Sequence, residues 1–324
     1  MEYRLLGRTG VKVSALCLGT MAFGDTADEK ASAAIFHRSR EAGINFFDSA
    51  NRYAGGRCEE ILGRLISSCR DAIVLTSKVG MPMGSDVNAQ GLSRRHIMKA
   101  VEESLRRLKT DRLDLYFLHT FDAGTPMEET LRAMDDLVRQ GKILYPAVSN
   151  WAAWQVAKAL GICRFQGWAR FECLQPMYNL VKRQAEVEIL PLAKAEQLGV
   201  IAYSPVGAGI LAGNYGTVDR PPEGRLLRDP RYAQRYGDPS YYEVAERFVR
   251  HARERNVHPA SLAVAWVMHH PAITAPIIGP RTLEQLEVYL QALQIPMDPQ
   301  WRAEISALSV EPPLATDRRE EQVK

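Results

Sequence analysis

What most restricts the fold of this 324-residue chain is a rhythm: short apolar runs, rich in branched and aromatic residues, recur with helix-period segments between them. The runs are "ALCLG" at 15–19, "INFFD" at 44–48, "AIVLTSK" at 72–78, "LDLYFLH" at 113–119, "ILYPAVSN" at 143–150, "FECLQ" at 171–175, "VIAYS" at 200–204 and "AITAPIIG" at 272–279. Such near-continuous apolar runs suit parallel strands covered on both faces. In "SRRHIMKAVEESLRRLK", Ser93 can cap a helix whose stripe is Ile97, Val101, Leu105 and Leu108. In "TPMEETLRAMDDLVRQGK", Thr125, Pro126 and Glu128 predict a capping box ahead of the stripe Met127, Leu131, Met134 and Val138, and Gly141 stops the helix. Eight strands alternating with helices predict an α/β chain folded as a (β/α)8 TIM barrel, preceded by an N-terminal β-hairpin that turns at Thr9-Gly10. A doubly wound sheet is the rival, but no G-x-G-x-x-G follows the first strand, and "GAG" at 207–209 lacks the third glycine.

No Gly-, Ser- or Pro-rich linker divides the chain, so residues 1–311 read as one domain and the polar stretch 312–324 as a tail. One connection, residues 206–240, is long and rich in Gly, Pro and Arg, as expected of a functional lid or a disordered segment. The net charge of +3 is small and the basic residues are mixed with acids, which points to a small-molecule partner and away from nucleic acid. The N-terminus shows no basic segment followed by an apolar core, and no run is long enough to span a bilayer, so the expected location is the cytoplasm with no membrane partner. The five cysteines, Cys17, Cys58, Cys69, Cys163 and Cys173, form no C-x-x-C pair and read as small apolar fillers.

Strand C-termini share one mouth in a barrel, and the polar residues there are Asp48, Tyr53, Lys78 and His119. An ammonium beside a phenol lowers its pKa and makes it a usable proton donor and acceptor; an acid keeps that ammonium charged and aimed; an imidazole can orient a substrate oxygen. Each has a plainer reading. Tyr53 can be a rim aromatic, Asp48 and Lys78 a structural ion pair, and His119 a satisfied core histidine. Their joint occurrence at strand ends favours chemistry.

The stretches "FFDSANRYAGGRCEEILG", "TSKVG", "LHTFD" and "AVSNW", in this order along nearly the whole chain, resemble the aldo-keto reductase family, and its bacterial aldehyde and sugar-type branch in particular. The resemblance implies hydride transfer between a nicotinamide cofactor and a carbonyl substrate. It makes Tyr53 the proton donor, Lys78 the group that lowers its pKa, Asp48 the partner of Lys78 and His119 the residue that positions the carbonyl. No metal is required, because phenol and imidazole together stabilise the developing alkoxide. By the same resemblance Gly19, Thr20 and Met21 line the nicotinamide side, Ser149, Asn150 and Gln175 hold the carboxamide, and Tyr203 stacks on the ring. Ser204, Gly207, Gly209 and the backbone through Leu211 meet the pyrophosphate. Gly279, Arg281 and Gln285 bind the adenosine phosphate, and the guanidinium of Arg281 favours NADP(H) over NAD(H).

The chain departs from the family pattern at Val288 and Tyr289, where an acid and an amide are common, and at Ala147 and Cys58, where Gly and Ser are usual. A pocket walled by Trp151, Trp154, Met21 and Phe23 suits an apolar carbonyl, whereas the arginines of the 220–235 stretch suit an anionic or polyhydroxy one. The alternative function is a cofactor-sensing regulatory subunit on the same fold; an isomerase or hydrolase is remote, since no metal set or phosphate signature is present. Asp122 is expected to hold its loop, and His269-His270 to end a helix.

Overall fold

All eight apolar runs become strands in the computed structural model, which describes residues 1–216 and 225–316. The hairpin strands β1 (Tyr3–Leu5) and β2 (Lys12–Ser14) come first. They are followed by β3 (Cys17–Gly19), β4 (Phe46–Asp48), β5 (Val74–Val79), β6 (Leu113–Leu118), β7 (Ile143–Ser149), β8 (Cys173–Gln175), β9 (Gly199–Ala202) and β10 (Ala275–Ile278). Strands β3 to β10 pair in parallel in sequence order, and β10 returns to β3 to close the barrel. The helices are α1 (Glu29–Glu41), α2 (Arg57–Ile66), α3 (Arg94–Leu108), α4 (Met127–Arg139), α5 (Ala153–Gln166) and α6 (Ile189–Ala195). After β9 come α7 (Arg225–Arg228), α8 (Pro230–Arg235), α9 (Pro239–Glu254) and α10 (Pro259–Met268); α11 (Leu283–Leu290) and α12 (Pro299–Ser306) follow β10. The chain therefore folds as the (β/α)8 barrel with an N-terminal hairpin that the rhythm predicts.

Successive strand residues point to opposite faces, and both faces are buried. Cys17, Phe46, Val74, Leu115, Phe117, Ala147, Cys173, Ile201, Ala275 and Ile277 fill the barrel interior, while their neighbours Leu18, Phe47, Leu75, Tyr116, Leu118, Val148 and Leu174 pack beneath the helices. The hairpin plugs the base, for Leu6 and Val13 belong to the interior cluster. Its seat is tight: Gly7 has φ +54°, and a Cβ there would lie 2.6 Å from the Gln197 carbonyl oxygen, so only glycine fits.

Ser93 caps α3 as expected, its hydroxyl accepting from the His96 N–H at 3.3 Å. The capping box of α4 does not form. Pro126 occupies the cap with no side-chain bond, because the Thr125 hydroxyl donates to Asp122 Oδ2 at 2.7 Å instead. Asp122 also accepts the N–H groups of Leu92 and Gly124, so it secures its loop. The 206–240 connection carries a 3-10 turn, Gly207–Ala212, and then α7 and α8. Residues 217–224 and 317–324, which include Arg220 and much of the expected tail, lie outside the described residues.

Candidate active site

Register brings the first two site residues together. Asp48, the last residue of β4, pairs with Thr76 of β5, so Lys78, two residues on, shares the interior face at the mouth. His119 follows β6 directly and is fixed by its N–H, which donates to Val79 O at 2.8 Å. Tyr53 is carried back over the mouth by the 3-10 turn Tyr53–Gly56, in which Ala54 (φ 47°) and Gly55 (φ 64°) are left-handed.

Lys78 is fully buried, and its Nζ donates to Asp48 Oδ1 and Oδ2 at 2.7 and 2.6 Å and to Ser49 O at 2.7 Å. A longer contact of 3.4 Å runs from the same nitrogen to the Tyr53 hydroxyl. Asp48 Oδ1 also accepts from Thr76 Oγ1 at 2.8 Å and Gln175 Nε2 at 2.9 Å, so the carboxylate is held from three side chains. The Tyr53 and His119 rings meet edge to face with centroids 6.2 Å apart.

The electrostatics refine the expectation for Tyr53. Its phenol is pushed well above the ordinary range, first by burial and next by the Asp48 carboxylate. Lys78 spends its charge on Asp48, so burial outweighs it. Burial, then the Lys78 and Arg52 charges, lowers His119 to about 3, so its imidazole is neutral in the ordinary pH range. Its Nδ1 is buried with no hydrogen-bond partner among the described residues.

A chain of hydrogen bonds continues round the rim. The Tyr203 hydroxyl donates to Asn150 Oδ1 (2.8 Å); Asn150 Nδ2 donates to Ser149 Oγ (3.0 Å) and His119 O (2.9 Å); Ser149 Oγ donates to Gln175 O (2.9 Å). Through the Gln175 side chain the chain reaches Asp48, so the three residues expected at a carboxamide are bonded to the four expected to do chemistry. Sequence reasoning assigned Gln175 a cofactor contact and missed its bond to Asp48; no local spacing signals a pair so far apart. Gly19 ends β3, a Cβ there would lie 2.6 Å from Ile277, and the next residue, Thr20, bonds Asp48 O through its hydroxyl at 2.9 Å. Met21 is half-buried.

Beyond β9 the backbone turns through left-handed residues at Ser204 (φ 62°), Gly207 (φ 57°), Ala208 (φ 57°) and Gly209 (φ 102°), and Leu211 is buried beneath them. Ser204 Oγ lies 3.1 Å from the Tyr236 hydroxyl, which ties the end of α8 to this turn. Gly279 is exposed with open space around its Cα. Arg281 is half-buried, and its N–H donates to Gln285 Oε1 at 2.9 Å while Thr282 caps α11, so Gln285 completes a helix cap. Val288 gives its carbonyl to Ser261 Oγ, and Tyr289 packs on the core, so neither offers a carboxylate or amide there.

The other candidates sort by burial. Phe23 and Trp151 are core residues, Trp151 edging onto Phe121 and Phe171, whereas Trp154 is 61% exposed. Cys58 lies between Thr20 and Ser49 with its thiol pushed up to about 12, and Cys163 is raised to about 11, both by burial, as fillers should be. His269 and His270 bond separately to Ala265 O and the Ala272 N–H. No cluster of metal-ligating side chains occurs among the described residues, and no helix there is long and apolar enough to cross a membrane.

A family model described as "Aldo/keto reductase family" matches residues 15–310. The chain is similar to the uncharacterized oxidoreductase YrpG of Bacillus subtilis (strain 168), with 39% identity over 316 residues, 92% of this chain and 93% of the relative. It is 34% identical over 308 residues to the probable voltage-gated potassium channel subunit beta of Oryza sativa subsp. japonica, covering 91% and 92%. To the norsolorinic acid reductase of an Aspergillus flavus strain it is 33% identical over 307 residues, covering 90% and 76%.

Proposed function

This chain belongs to the aldo/keto reductase family of NAD(P)H-dependent oxidoreductases, and from that premise we propose that it reduces an aldehyde or ketone with Tyr53 as proton donor. The observation that carries the proposal is the buried Lys78 ammonium, held on Asp48 and on Ser49 O, with a further, longer contact of 3.4 Å to the Tyr53 oxygen. As Tyr53 gives its proton to the carbonyl oxygen, Lys78 stabilises the phenolate left behind. His119, kept neutral by burial, orients that carbonyl oxygen beside the phenol. The raised pKa of Tyr53 keeps the proton on the phenol at neutral pH, the form that reduction consumes; the reverse oxidation needs the phenolate and gains with rising pH.

The donor set suits the cofactor. An aromatic face at Tyr203 beside the amide and hydroxyl groups of Asn150, Ser149 and Gln175 matches a flat ring bearing a carboxamide. The glycine-rich turn after β9 allows the close backbone approach that a pyrophosphate requires. When bound, the nicotinamide supplies the hydride. Gly19, Thr20 and Met21 would flank it, Ser204 to Leu211 would hold the phosphates, and Gly279, Arg281 and Gln285 the adenosine end. The Arg281 guanidinium is the ground for preferring NADP(H), because it matches a 2′-phosphate. On this reading residues 1–311 are one catalytic domain working in the cytoplasm on a small carbonyl compound.

Titration of the purified protein with NADPH and NADH, followed by a panel of aldehydes, ketones and sugars, tests the reading. Tighter NADPH binding that Arg281→Ala weakens by roughly tenfold (~1.4 kcal/mol), with oxidation by some carbonyl, is the expected result. NADPH binding without turnover would favour the second reading, a cofactor-sensing subunit, which rests on the 34% identity to the potassium channel beta subunits of rice and Arabidopsis thaliana.

A further inference from the structure

We propose that Ser77, Glu59 and Arg107 form a positioning device behind the barrel wall that sets the spacing of Tyr53 from Lys78; it rests on the reading of Tyr53 as proton donor. Ser77 precedes Lys78 on β5, so when Lys78 faces inward Ser77 faces the helices. Its hydroxyl donates to Glu59 Oε1 at 2.5 Å. Glu59 stands in the first turn of α2 and is fully buried, and its other oxygen accepts from Arg107 Nε at 2.7 Å.

Arg107 comes from the last turn of α3 and lies across the turn that carries Tyr53. A Cβ on Gly56, the last residue of that turn, would lie 3.0 Å from Arg107 Cδ and 3.1 Å from its Nε. The helices also approach closely here, since a Cβ on Gly63 would lie 2.4 Å from the Arg107 carbonyl oxygen. One buried carboxylate thus links the strand that holds Lys78 to the side chain pressed on the Tyr53 turn. On the interior side the two segments meet through Lys78 Nζ itself and through the Asn51 N–H on Lys78 O at 3.3 Å.

A buried ion pair is a poor device for stability, because desolvating both charges offsets most of their attraction and apolar side chains can fill such a space at no such cost. What it supplies is direction. Charge-assisted bonds fix Glu59 relative to both partners, and a small misplacement of a reacting group is costly to rate.

The test compares Ser77→Ala, Ser77→Thr and Tyr53→Phe in the full chain, with NADPH and 4-nitrobenzaldehyde as probes. The readouts are kcat, KM, NADPH affinity, melting temperature and the alkaline limb of the kcat–pH profile. Ser77→Ala is expected to lower kcat by roughly tenfold or more and to displace the alkaline limb, with KM and NADPH affinity within about twofold. Ser77→Thr, which keeps the hydroxyl on a strand that tolerates β-branching, should restore both. An inactive Tyr53→Phe beside a parent-like Ser77→Ala overturns the device alone. A kcat loss that Ser77→Thr does not restore, with an unmoved pH limb, also overturns it. A fully active Tyr53→Phe overturns the proton-donor reading and the device with it. If Ser77→Ala does not fold, Glu59→Gln, which keeps the shape but loses the charge, is read by the same kcat and pH limb.

Discussion

At its base the barrel interior is closed by Leu6 and Val13 resting on Cys17, Phe46 and Val74; at its mouth the same inward-facing positions of β4 and β5 carry Asp48, Thr76 and Lys78. Phe46 and Asp48 are two residues apart on one strand, as are Val74, Thr76 and Lys78 on the next. One alternation rule sets both ends, but the energetics differ. The base gains from removing apolar surface from water, about 25 cal/mol per Å². The mouth buries an ammonium and a carboxylate, whose desolvation is offset only because each of their hydrogen-bonding groups is engaged. The fold is therefore stabilised at one end and, on the proposed function, equipped for chemistry at the other.

The sharpest way to separate the two ends is Tyr53→Phe, which removes one hydroxyl at the mouth. Turnover is expected to fall by roughly 10²–10⁴-fold with little change in melting temperature or NADPH affinity; activity near that of the parent breaks the assignment. Asp48→Asn strikes stability and chemistry together, since it leaves a buried ammonium without its counter-charge. Denaturant unfolding should report a loss of about 3–5 kcal/mol, alongside a large drop in kcat. Leu6→Ala acts on the base alone, where a cavity under the plug should cost about 2–5 kcal/mol with kcat per folded molecule unchanged. A fall in kcat equal to that of the mouth variants would show that the base also steers chemistry.

The last difference is a dependence on pH. His119 has a folded pKa of about 3 against an unfolded value of 6.5, so between these values the unfolded chain binds the extra proton. Its contribution to stability is fully present above pH 6.5 and is lost progressively as the pH falls toward 3. His270, lowered to about 4, drains stability over part of the same window. Replacing His119 with Gln should flatten the decline in melting temperature between pH 6.5 and 4 without abolishing it, because His270 remains. An unaltered slope would mean that the imidazole is not held neutral by burial.

The barrel was legible because its signal is repeated: each apolar run marks a strand, and a miss at one would still leave the rhythm. Run ends were less so. Ala15 and Leu16 continue the first run but form the bend into the barrel, where Ser14 Oγ bonds Leu16 O and the Ala15 N–H bonds Glu2 O. The α4 cap was misread because Asp122, three residues before Thr125, competes for its hydroxyl. At the mouth, residue types at strand ends were enough to group Asp48, Lys78 and His119, which strand register brings to one end of the barrel, since position along a strand and chemical character are both written locally. The bonds of Gln175 to Asp48 and of Glu59 to Ser77 and Arg107 were not legible, because they join residues brought together only by barrel closure and helix packing. The sign of the Tyr53 shift was hidden for the same reason: burial is a property of the assembled mouth.

The seam of the barrel, where Cys17 and Leu18 pair with Ile277 and Ile278, joins the first barrel strand to the last. During synthesis β3 emerges before β10, so the ring cannot close until the chain through Ile278 is available. Until then β3 and β9 each present an unpaired edge, the arrangement most open to pairing with a neighbouring chain. A nascent chain of this design depends on time as well as on sequence, and a pause or premature stop before residue 275 leaves a sheet with two open sides.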